Sequence, residues 1–136
     1  MILNDILEAK PIKIISIRKD STVAEAIKIM EGADIGCILI VDEHNKLIGI
    51  FTERDVMHCI VKNISLDKEI IKNVMTANPL TLDASTDVST AITSMSRKRV
   101  RHLPVMKGNE IAGVISYRDL VAYLLPEIVY MAEDIY

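Results

Sequence analysis

Apolar and polar positions along this chain follow two periods, and they do so twice over. Val23, Ala26, Ile27 and Met30 recur at i, i+3, i+4 and i+7, which predicts a helix with one apolar stripe. Thr22 with Glu25 three residues later is a helix start signal, and Gly32 is the expected stop. Cys37 to Val41 is a continuous apolar run of strand length, suited to a strand covered on both faces. A polar turn, Asp42 to Lys46, leads into a second strand, Leu47 to Phe51, paired with the first as a hairpin, and a helix is expected over about Glu53 to Val61. Upstream, Ile12 to Ile17 is β-branched and nearly alternating, which predicts a strand or an extended arm.

The pattern then restarts. Val88, Ala91, Ile92 and Met95 repeat the helix stripe, Leu103 to Met106 answers Ile38 to Val41, and Gly113-Val-Ile-Ser-Tyr-Arg-Asp119 answers Gly49-Ile-Phe-Thr-Glu-Arg-Asp55. Two copies are too few for a solenoid. The expected fold class is α+β: two βαββα repeats related by pseudo-two-fold symmetry, with two equivalent clefts between them. The expected boundaries are residues 7–63 for the first repeat, a charged helical linker over 64–74, residues 75–125 for the second repeat, and a helical tail over 126–136. Met1 to Leu7 reads as a short helix packed on the rest and limited by Pro11.

At 136 residues, half of them apolar, the chain is long enough for one domain with a substantial core. One Phe and no Trp make that core aliphatic, and Met30, Met57, Met75, Met95, Met106 and Met131 are assigned to packing. No apolar run spans a bilayer and the start of the chain is not a signal peptide, so the expectation is a cytoplasmic protein with no membrane partner. Cys37 and Cys59 make no metal spacing and read as free buried thiols. His44 is placed in an exposed turn, and His58 is given a structural role beside Cys59 rather than a metal one. A formal charge of -3 argues against nucleic acid as a partner, although Arg97-Lys-Arg-Val-Arg-His102 is a local basic cluster. In that cluster Arg97, Lys98 and Arg99 suit a solvated helix end, whereas Arg101 and His102 run into the strand and suit phosphate as well as they suit a structural role.

Chemistry concentrates in the doubled Thr52-x-x-Asp55 and Ser116-x-x-Asp119. An ionised carboxylate only accepts hydrogen bonds, so one Asp can take both hydroxyl protons of a ribose. A hydroxyl at a helix start, beside free N–H groups and the positive end of the dipole, suits a phosphate. The plain alternative is a capping box, worth about 0.5–2 kcal/mol. There is no nucleophile elbow, no metal-ligand set and no glycine-rich phosphate loop, so no enzyme activity is expected.

These residues together resemble a pair of cystathionine β-synthase (CBS) domains, the Bateman module. Three features carry the resemblance: Thr22-Val-Ala-Glu-Ala26 echoed at Asp87-Val-Ser-Thr-Ala91, the doubled Gly-x-x-Thr/Ser-x-x-Asp, and Arg101-His-Leu-Pro-Val105. The resemblance covers about Leu7 to Leu125 and implies a sensor of adenosine-containing ligands, with AMP, ADP, ATP and S-adenosylmethionine as candidates and no required cofactor. By resemblance, one cleft combines Ser116, Arg118 and Asp119 with the backbone at Ile15 and Ser16 and the edge Ile35, Gly36, Cys37. The other combines Thr52 and Asp55 with Thr76, Pro79, Leu80, Arg101 and His102. Repeat one lacks the Arg-His pair, so one strong and one weak or empty site are expected. A homodimer through the second helix of each repeat and a separate effector protein complete the expectation; the rival readings are an assembly module with vestigial clefts and a nucleic-acid-binding module.

Overall fold

The computed structural model describes residues 1–10 and 14–124. The expected tail over 126–136 and the start of the Ile12 to Ile17 segment lie outside the described residues. The chain opens on helix α1 (Leu3–Ala9). It divides into two compact units, one of residues 15–79, the other joining the N-terminal segment to the chain from Leu80 onward.

In the first unit, strand β1 (Ser16–Arg18) leads into helix α2 (Val23–Ala33), a hairpin of β2 (Cys37–Val41) and β3 (Leu47–Thr52), helix α3 (Glu53–Val61) and a short strand β4 (Thr76–Ala77). The sheet order is β1-β2-β3-β4, with β1 parallel to β2 and the other pairs antiparallel. Every residue of β2 is buried, as its unbroken apolar run requires. Thr22 and Glu25 form the capping box that starts α2, each bonding the other's backbone N–H at 3.2 Å. The helix runs through Gly32 and stops at Asp34, whose left-handed backbone (φ 54) makes the C-cap in place of the expected glycine.

The linker differs from its expectation. Residues 64–74 contain a single 3-10 turn, Ile71–Asn73, instead of a helix, and they close the first unit. Ile71 is fully buried in its core, and the Val23 and Ala24 N–H groups bond to the Glu69 and Leu66 carbonyls. Two backbone bonds to α2 and one buried side chain outweigh the helical preference of a segment this short.

The second unit repeats the plan with β5 (Leu82–Asp83), α4 (Val88–Lys98), β6 (His102–Lys107), β7 (Glu110–Ser116) and α5 (Tyr117–Leu124), in sheet order β5-β6-β7. Its core is completed from the other end of the chain. Leu3 and Ile6 of α1 are buried among Val88, Ala91, Met95, Leu103, Val105 and Ile115. The Leu3 and Asn4 N–H groups bond to the Thr86 and Ala84 carbonyls, both at 2.9 Å, and the Val88 N–H to the Met1 carbonyl at 2.9 Å.

The two glycines of the doubled motif show how alike these closures are. A Cβ on Gly49 would run into the Met75 sulfur, and one on Gly113 would lie 2.7 Å from Leu7 Cδ2. Each glycine leaves room for an apolar side chain of the closing segment. One methionine expectation needs correction: Met57 is 64% exposed on α3. The stripe of α3 that reaches the core is carried instead by Asp55 and Cys59, with Val56 partly buried.

Candidate functional site

Each unit builds the same junction, where the last residue of a strand is the N-cap of the next helix. In the first, the Thr52 N–H donates to Asp55 Oδ2 at 2.9 Å and the Asp55 N–H donates to Thr52 Oγ1 at 3.4 Å. In the second, the Ser116 N–H donates to Asp119 Oδ2 at 3.2 Å and the Asp119 N–H to Ser116 Oγ at 2.9 Å. The capping-box reading is therefore realised at both. Each cap engages one carboxylate oxygen and points the other, Oδ1, away from the cap.

What meets that second oxygen differs. Asp55 Oδ1 accepts from the Thr76 hydroxyl at 3.2 Å, so Thr52, Asp55 and Thr76 come together as expected. Asp119 Oδ1 pairs with Lys10 Nζ at 2.8 Å. Partial burial pushes the Asp119 carboxyl up, but Lys10 and the Ser116 hydroxyl and N–H outweigh it and hold the group below the ordinary carboxylate range.

Backbone N–H groups at the two helix starts are less available for phosphate than the sequence suggested. Glu53 N–H bonds to the Gly36 carbonyl at 3.1 Å and Tyr117 N–H to the Arg101 carbonyl at 2.7 Å, while the Asp55 and Asp119 N–H groups serve the caps. An anion beside these carboxylates must lean on side-chain cations.

The remaining site residues fall as follows. Cys37 faces Thr52 across the β2–β3 pair, and His102 faces Ser116 across β6–β7, so each edge lies beside the junction of its own repeat. Ile35 packs on the first core and Leu80 on the second. Ile15 gives its carbonyl to the Leu39 N–H, Ser16 opens β1, and Pro79 follows β4. Arg118 stands on the first turn of α5, exposed, next to Asp119. A depression of about 380 Å³ in the first unit is lined by Ile35 and Gly36 with Ile27, Met30, Val56 and the acids Glu31, Asp34 and Glu53.

Cys37 and Cys59 are free and buried; burial, with Glu53 nearby, pushes the Cys37 thiol up to about 12, and burial also raises Cys59. Both are poor nucleophiles at neutral pH. Among the described residues no group of three or more His, Cys, Asp or Glu is placed to hold a metal ion, and no helix is long and apolar enough to cross a membrane.

Lys10 is the site residue that sequence reasoning missed. A signal existed: residues 2–11 (ILNDILEAKP) answer residues 70–79 (IIKNVMTANP), so the segment that brings Thr76 to Asp55 has a counterpart that brings Lys10 to Asp119.

Two sheets, each with a capped Thr/Ser-x-x-Asp at the junction of its second hairpin strand with a helix, define a tandem βαββα module. The chain belongs to the CBS-domain family, whose model matches residues 4–62 and again residues 71–126. An uncharacterised 17.7 kDa protein of Acidianus ambivalens is 33% identical over 114 residues, covering 83% of this chain and 68% of that protein. The inosine-5′-monophosphate dehydrogenase of Methanocaldococcus jannaschii is 34% identical over 109 residues, which is 79% of this chain and 21% of the enzyme. A solved structure of a putative signal-transduction protein with CBS domains from Burkholderia ambifaria covers 93% of this chain and 96% of its own at TM-score 0.87 and 31% identity. A solved CBS domain pair in complex with 5′-methylthioadenosine and S-adenosyl-L-methionine covers 91% of this chain and 95% of its own, at TM-score 0.80 and 28% identity. A CBS domain protein of Pyrobaculum aerophilum complexed with AMP shares the fold at TM-score 0.83 and 21% identity, covering 98% of this chain and 99% of its own.

Proposed function

We propose that this chain is a non-enzymatic regulatory module that binds an adenosine-containing ligand, AMP, ADP, ATP or S-adenosylmethionine, and passes its state to a separate effector protein. The observation that carries the reading is Asp55. It is the one buried charged side chain among the described residues, held by Thr52 and offering its second oxygen only to a hydroxyl, Thr76. A ribose hydroxyl is the same kind of donor. In this reading Thr52, Asp55 and Thr76 line one site with Pro79 and Leu80, Ser116, Arg118 and Asp119 line a second, and Ile15, Ser16, the Ile35 to Cys37 edge, Arg101 and His102 complete the ligand-binding set. AMP and S-adenosylmethionine in complexes of solved CBS proteins support the ligand class. Bound ligand shifts the population toward one conformation, which the effector reads.

Thermal unfolding of the full chain against AMP, ADP, ATP and S-adenosylmethionine tests the reading. Ligand at a hundred times its Kd adds about 2.7 kcal/mol of stability. An unmoved melting curve with all four overturns it and leaves an assembly module. That second reading has its own support in Met57, Ile60 and Val61, which are 64%, 60% and 78% exposed on or at the end of α3. An apolar face of this kind fits a homodimer through the second helix of the repeat. Light scattering is expected to return twice the mass of one chain, and to return the single mass for Ile60→Asp. We place the protein in the cytoplasm on the same reading.

A further inference from the structure

The two carboxylates are chemically alike and electrostatically different. Asp55 meets a neutral hydroxyl at its outer oxygen, whereas Asp119 meets an ammonium, Lys10 Nζ at 2.8 Å. The lysine is offered from a fixed base. Its own N–H bonds to the Ile6 carbonyl at 3.0 Å as the C-cap of α1, and α1 is anchored by buried Leu3 and Ile6. Its side chain is 64% exposed against 22% for Asp119, so the ammonium is hydrated and the pair is weak. A weakly held cation on a flexible stem, standing beside a carboxylate, is free to exchange that carboxylate for a nearby anion.

Accepting the adenosine reading above, we infer that Lys10 determines the ligand charge taken at the Ser116–Asp119 junction. A ribose that bonds Asp119 brings its 5′ substituent close to a negative charge. Lys10 offsets that charge, and re-pairs with the substituent when it is a phosphate. Two of the first three N–H groups of α5 are already bonded, so the helix start gives little help. The same position in the other repeat carries Asn78. The Ser116–Asp119 site therefore selects nucleoside phosphates over neutral adenosine and over a sulfonium-bearing adenosine, a selectivity that the Thr52–Asp55 site gets no lysine to impose.

The test is calorimetric titration of the full chain with AMP and with adenosine, in an Asp55→Asn background that leaves the Asp119 site to be read. Lys10→Gln is expected to lower the AMP-to-adenosine affinity ratio about tenfold, the scale of one charged hydrogen bond, and Lys10→Arg to preserve it. A ratio within twofold of the parent in Lys10→Gln overturns the inference. So does loss of all adenosine binding in Asp55→Asn when the unmodified chain binds, because the Ser116–Asp119 junction is then no ligand site although the adenosine reading stands. No binding of either compound to the unmodified chain overturns both. Circular dichroism melts of each variant separate these outcomes from misfolding.

Discussion

Leu3→Ala is expected to destabilise the C-terminal repeat by about 2–5 kcal/mol, although Leu3 lies at the opposite end of the chain. Leu3 is fully buried, and Met95, Leu103 and Ile115 of the same core come from three elements of that repeat, α4, β6 and β7. Deleting the isobutyl group loses its transfer free energy and leaves a cavity that α1, tied by backbone bonds to Ala84 and Thr86, cannot collapse to fill. Amide hydrogen exchange gives the residue-level readout. Exchange is expected to rise in β6 and β7 and to stay near its parent value in β2 and β3, whose core contains no residue of α1. Equal acceleration in both sheets, or in neither, would falsify the assignment of α1 to the C-terminal core.

The second large effect concerns binding. Asp55→Ala and Asp119→Ala are each expected to cost about 1.5–3 kcal/mol of ligand affinity at their own junction, the loss of a charged hydrogen-bond acceptor. Each also removes the carboxylate half of a capping box, the acceptor of the Thr52 or Ser116 N–H, and so lowers stability as well. Asparagine separates the roles, since its side-chain oxygen can still accept the Thr52 or Ser116 N–H. If the carboxylates hold a ribose, Asp55→Asn recovers most of the melting temperature but not the affinity. Affinity that returns together with stability would reduce both residues to caps.

Much of the fold was legible in local periodicity. The stripe at Val23, Ala26 and Met30 and its echo at Val88, Ala91 and Met95 are buried as read, and Thr22 caps α2 as its spacing predicted. What failed were features set by distant partners. Residues 64–74 have the composition of a charged helix, yet the backbone of α2 claims their carbonyls. Gly32 looked like a terminator, but glycine is only one way to reach the left-handed region, and Asp34 reaches it two residues later. Met57 fits an apolar stripe by spacing and faces outward all the same. At the junctions the paired hydroxyl and carboxylate were readable from spacing alone, because a cap is local. Lys10 was not, since its partner is Asp119 and nothing short-range joins them.

Gly49 with Met75 and Gly113 with Leu7 carry a lesson about connectivity. In the first repeat the piece that lies over the glycine follows in sequence; in the second it has come from in front of the whole chain. Covalent order and spatial order are thus out of step, as in a circular permutant of a simple duplication. Anything joined ahead of Met1, whose carbonyl already holds the first N–H of α4, would be attached to the repeat farthest from it along the chain.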